Sequence, residues 1–255
     1  MLPKILVKKM DLETNIDFIC RYVNPEFCRR NKTRPFAERT YQLYPDLRGK
    51  INDSMSDREI YEIVQPVVIR VYEEKLEEMN QKIRELQNLF SKIEGPLMEQ
   101  MTKLFQLDWP SQYENIICYV GCISSFPRNV MTKKFFISYE KDLDFLMMVS
   151  IHEINHFVLF EKWKQMHGYE KEEEPSYPEP LWFLLEMAVD PTLNTPIMQA
   201  AAPYPQKAYE QFYERFVDGM SAEDHIIKRY QQADSIEQFL DEAYDWIENH
   251  KDILI

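Results

Sequence analysis

Two histidines four residues apart, inside an almost unbroken apolar run, constrain this chain more than any other feature: His152-Glu153-Ile154-Asn155-His156. On a helix, residues at i and i+4 share one face with Cβ atoms about 5–6 Å apart. Both rings can then reach one ion at roughly 2.0–2.1 Å. Glu153 falls about 100° round from His152, beside the ion rather than on it, where a carboxylate can act as base toward a metal-bound water. From Leu143 to Trp163 the flanks are apolar nearly all round (Phe145, Leu146, Met147, Ile151, Ile154, Phe157, Val158, Phe160), as in a buried helix. Buried polar groups must be satisfied, since each unpaired one costs roughly 1–3 kcal/mol. A divalent ion satisfies all three; a hydrogen-bonded pair of core histidines is the alternative.

The net charge of −13 speaks against nucleic acid, which needs a basic patch. No basic start followed by an apolar segment opens the chain, and no apolar run approaches 18 residues, so it reads as soluble, cytoplasmic and without a membrane partner. Four cysteines are too few for a disulfide framework. Cys118 and Cys122 read as small core residues.

Along the chain, Ile5-Leu6-Val7 predicts a short strand and Leu12–Tyr22 a short helix, while Arg29, Arg30, Lys32 and Arg34 read as a solvated loop. Ser56-Asp57-Arg58-Glu59 matches a capping box. The apolar stripe from Ile60 to Ile93 then predicts one long helix, bent at Pro66 and ended by Gly95-Pro96, with Leu97–Phe105 a separate short helix. Ile116–Ile123 and Lys134–Tyr139 are β-rich, separated by the polar stretch Ser124–Thr132. Asp142 is a good N-cap for the motif helix. Glu170–Pro180 is an exposed loop. A further apolar helix, Leu181–Asp190, is closed by Pro191, and helices follow at about Lys207–Val217, Ala222–Gln232 and Ile236–His250. The expected fold is α+β and mostly helical: a small mixed sheet against the motif helix, a helical C-terminal half and a long N-terminal helix. An N-terminal helical region (1–110) would pack on a core domain (111–255).

Two histidines hold zinc weakly, so a third ligand is needed. His167 lies eleven residues past His156, about 16 Å along a continuous helix, and Glu161 points off the ligand face. Glu186 remains, in an apolar helix where an unpartnered carboxylate is expensive. Asp190, one turn on, can hydrogen-bond the free nitrogen of a ligand histidine. A salt bridge is the alternative for each, although no Lys or Arg lies between Lys171 and Lys207.

The pattern His-Glu-x-x-His with a later Glu-x-x-x-Asp resembles the gluzincin, thermolysin-like zinc metallopeptidases over Ile116 to Asp190. Met187 follows Glu186 where many members carry glycine. A metzincin pattern is absent, because its glycine and third histidine would fall at Leu159 and Lys162. The resemblance implies a zincin-like domain and Zn2+ held by His152, His156 and Glu186. It also implies Glu153 as general base, Asp190 behind a ligand histidine, and peptide or protein substrates. A downstream Tyr or His as oxyanion donor is implied too, for which Tyr209, Tyr213 and His225 are candidates. Phe135–Tyr139 would be the edge strand on which a peptide adds. The competing expectation is a catalytically inactive gluzincin-like scaffold that binds zinc or a protein partner.

Overall fold

The structure, a computed structural model, describes residues 2–31 and 35–255. β1 (Lys4–Lys9), α1 (Leu12–Val23), α2 (Pro25–Arg30) and α3 (Phe36–Leu43) lead through a 3-10 turn at Pro45–Leu47 to α4 (Asp57–Glu74) and α5 (Leu76–Leu104). Then come β2 (Asn115–Gly121), β3 (Arg128–Asn129), β4 (Lys134–Ser138), α6 (Leu143–His167), α7 (Pro180–Met187), α8 (Val189–Leu193) and α9 (Pro196–Ala201). α10 (Glu210–Glu214), the paired strands β5 (Phe216–Val217) and β6 (Met220–Ser221), α11 (Ala222–Gln232) and α12 (Ile236–Leu254) close the chain. The protein is mostly helical with a small mixed sheet, an α+β architecture as the sequence predicts.

The sheet runs β1-β2-β4-β3, with β1, β2 and β4 parallel and β3 antiparallel to β4. Because β1 comes from the first ten residues and pairs with β2 along its length, a boundary at residue 110 runs through the sheet and through one shared core. α5 covers the open edge of β1. Gln87 accepts from the Val7 amide and donates to the Ile5 carbonyl, and Glu94 accepts from the Ile5 amide. A sheet edge is thereby blunted by side chains rather than by another strand.

The long helix departs from its sequence pattern. It breaks at Lys75, between α4 and α5, and runs on through Gly95 and Pro96 to Leu104. An internal Gly and Pro cost about 1 and 3 kcal/mol. Burial of Leu97, Met98 and Met101, each worth roughly 1.5–3 kcal/mol, offsets this. The capping box at Ser56 and Glu59 forms as expected. In the basic stretch, Arg29 and Arg30 end α2 instead of lying in a loop, whereas Lys32 and Arg34 fall outside the described residues.

The motif helix α6 starts where Asp142 accepts from the Phe145 amide and stops at Gly168, whose φ of 75° suits glycine. It is long and apolar enough to cross a membrane, yet 67% of its most apolar window is buried inside the protein. One face meets the sheet through Phe135 and Phe157, whose rings are 6.2 Å apart. A buried ion pair also ties it to the sheet: Lys133, between β3 and β4, bonds Glu161 of α6 and the Val130 carbonyl, with Tyr113, Phe157 and Phe160 around its ammonium. Burial, only partly offset by Glu161, pulls the pKa of Lys133 down to about 8. Glu161 is thus engaged away from the histidines.

Candidate metal centre

His152 and His156 project from α6 with their rings 4.5 Å apart and edge to face, and α7 brings Glu186 to them from 30 residues further on. Glu186 Oε2 lies 3.4 Å from His152 Nε2 and 3.6 Å from His156 Nε2. One ligand atom from each of the three residues falls within a 4.8 Å cluster. His156 and Glu186 are buried, whereas the His152 side chain keeps 17% of its surface. An approach from solvent therefore exists on the His152 side.

Arg128, which no local sequence signal marked, completes the site. It stands on the two-residue strand β3 at the sheet edge. Its Nη2 donates to Glu186 Oε1 at 2.9 Å, and its Nη1 lies 3.6 Å from Glu153 Oε2. Glu186 therefore has a basic partner after all, supplied from 58 residues earlier in the chain. The two oxygens of Glu186 are divided, one to the guanidinium and one to the histidines. Burial works to raise the Glu186 pKa, but Arg128 and the two histidines outweigh it and hold the carboxyl well below its usual range. Burial, reinforced by Arg128, holds His156 well below the usual imidazole value, hence neutral and able to ligate. For Glu153, burial wins over Arg128 and pushes the carboxyl up.

The donor set fits a divalent ion. Two imidazoles and one carboxylate are a common catalytic zinc set, and His156 Nε2, fully buried, has no hydrogen-bond partner. Glu153 Oε2 is likewise buried without a hydrogen bond. A core histidine pair would leave such atoms bonded to protein.

The remaining sequence-predicted residues lie elsewhere. Asp190 accepts from Asn194 Nδ2 at 2.7 Å and from the Tyr213 hydroxyl, and among the described residues it makes no hydrogen bond to a ligand histidine. The physical reason is a break at Ala188: α7 ends at Met187 and α8 begins at Val189, running through Pro191 rather than stopping there, so residue 190 does not simply continue the face of residue 186. Tyr213, bound to Asp190, also accepts from the Ala208 amide. His225 lies 2.9 Å from the Val217 carbonyl and stacks on Trp246, and His167 pairs with Asp241 at 2.8 Å. Tyr209 stacks on Trp182 in a cleft of about 600 Å³ whose walls include Phe18, Arg128, Phe136 and Glu174. Arg128 thus belongs to both cleft and site. β3, not β4, forms this edge of the sheet, pairing with Lys134 and Phe135. The exposed loop after α6 folds back over the same end, with Glu174 accepting from the Val130 amide.

Comparisons of the chain with protein-family models, with curated proteins and with solved structures give no match.

Proposed function

We propose that the protein is a zinc-dependent metallopeptidase of gluzincin type, with a zincin-like arrangement of sheet, motif helix and glutamate helix. The observation that carries this reading is the convergence of His152, His156 and Glu186 within 4.8 Å, with the carboxylate of Glu153 at their side. His152, His156 and Glu186 would hold the ion, which when bound supplies Lewis-acid polarisation of a carbonyl and lowers the pKa of a water to about 7. Glu153 takes a proton from the attacking water and delivers it to the leaving amine. Cleft and site meet at Arg128, so a peptide lying along β3 reaches the carboxylates there.

Glu153→Gln keeps the shape of the site and removes the base. Against a peptide library, the zinc-loaded wild type cleaves in a chelator-sensitive manner, and the variant loses roughly 10²–10⁴-fold in rate with zinc retained. A wild type that binds zinc and cleaves nothing supports the scaffold reading instead.

A further inference from the structure

The reaction proposed above builds negative charge on the carbonyl oxygen of the scissile bond, and the two downstream residues bonded elsewhere in the fold, Tyr213 and His225, are not poised to receive it. The Tyr213 hydroxyl is committed to Asp190, and His225 is held at the Val217 carbonyl and against Trp246. We propose, resting on the peptidase reading, that Arg128 is the oxyanion donor: a catalytic residue supplied by the sheet edge upstream of the motif helix.

Three observations carry this. First, position: Glu186 Oε1 holds the guanidinium while Glu186 Oε2 faces both histidines, so Arg128 and the histidine pair share one carboxylate. Second, capacity: a guanidinium has five N–H donors, and among the described residues Arg128 makes one hydrogen bond, to Glu186. Its Nε is buried without a partner. Third, access: the side chain retains 13% of its surface and lines the cleft. A buried cation fixed in advance by Glu186 needs no reorganisation as charge develops, which is the condition under which such a donor is most effective.

The step balances without an added reagent. The water oxygen bonds to the carbonyl carbon as Glu153 takes its proton, and the carbonyl π pair moves onto the carbonyl oxygen. Arg128 donates a hydrogen bond to that oxygen and transfers no proton. Re-formation of the carbonyl expels the amine, which receives the proton held by Glu153. Arg128 also balances charge. With Glu153 and Glu186 ionised the three protein groups sum to −1, and the guanidinium offsets one carboxylate so that the developing oxyanion meets less like charge.

The test uses the zinc-loaded full chain and its Arg128→Lys, Arg128→Ala and Tyr209→Phe variants, each checked for zinc content and thermal melting. Two readouts are taken: kcat and KM on the best-cleaved library peptide, and the affinities of a phosphonamidate analogue and of the cleavage products by calorimetry. For Arg128→Ala, kcat falls about 10²–10³-fold with KM changed only a few-fold. Affinity for the analogue falls in the same proportion, and product affinity stays within a few-fold. Arg128→Lys, which keeps the charge but not the fork, lies between and covers the case in which the alanine variant does not fold. Unchanged kcat in zinc-replete Arg128→Lys and Arg128→Ala overturns the assignment. So does equal loss of analogue and product affinity, or a loss confined to Tyr209→Phe. A wild type that neither cleaves peptides nor binds the analogue overturns the peptidase reading and this inference with it, whereas an active wild type with an equally active Arg128→Ala overturns the inference alone.

Discussion

Arg128 and Glu186 meet at 2.9 Å through one carboxylate oxygen only, and the other oxygen of Glu186 is turned toward His152 and His156. The buried carboxylate thus faces two partners at once, an internal guanidinium and the pair of histidines. Removing Glu186 therefore bears on metal binding and on the metal-free fold together.

Glu186→Ala should abolish stoichiometric metal binding, because two histidines alone bind zinc weakly. It should also destabilise the metal-free protein by about 3–5 kcal/mol, since the largely buried Arg128 would lose its hydrogen-bonded partner and keep only Glu153, 3.6 Å away. The double variant with Arg128→Ala should recover part of that loss. Urea denaturation of the four proteins gives the coupling, and additive losses would contradict the pairing.

Asp190→Asn should leave zinc affinity within a few-fold of wild type. Its carboxylate serves Tyr213 and Asn194 rather than a ligand histidine. The cost should appear in stability, about 1–3 kcal/mol for a hydrogen-bonded group disturbed in a partly buried setting. A tenfold or greater loss of zinc affinity in a folded variant would restore Asp190 to the metal site.

Glu223 gives the clearest pH dependence. It is fully buried and neither oxygen has a hydrogen-bond partner. Burial, then Asp190 and Asp224, push its carboxyl well above the usual value. Since the folded pKa exceeds the unfolded one, near 4.3, the folded state holds a proton that the unfolded chain releases. The associated stability is full below about pH 4.3 and is lost as pH rises through the folded pKa. Glu223→Gln should therefore gain on wild type as pH is raised from 4 to 8 in urea unfolding. A difference that does not change with pH would show that Glu223 is ionised in the fold.

Lys133→Ala should destabilise the protein by about 3–5 kcal/mol, as removal of one partner from a buried pair does, because Glu161 keeps only Lys164. Since Lys133 ties the β3–β4 connection to α6, the variant should also loosen Arg128. Hydrogen exchange across residues 126–135 should rise, and unchanged protection would detach Lys133 from the placement of the site.

The residues of the candidate metal site were legible because their chemistry is periodic. The i, i+4 histidines and the apolar run around them define a buried helix, Asp142 marks its start, and Glu186 is a carboxylate in a helix with no room for one. Arg128 was not legible, lying in a polar, proline-containing stretch that reads as a loop. Its significance comes from a carboxylate 58 residues away and a two-residue strand too short for any periodic signal. Asp190 misled for a related reason, because four residues imply one helical face only if the helix is unbroken, and Ala188 interrupts it. Gly95-Pro96 misled because the penalty it carries is local, whereas the packing that outweighs it is supplied to α5 by β1, α6 and α9, which lie far off in sequence.

Metal stoichiometry decides whether His152, His156 and Glu186 form a metal site. The chain is purified without chelator for elemental analysis, then stripped and titrated with Zn2+ by calorimetry. A metal site there predicts one zinc per chain, one saturable site on titration, and loss of both in His156→Ala. A wild type that carries no metal and takes up none on titration would contradict it.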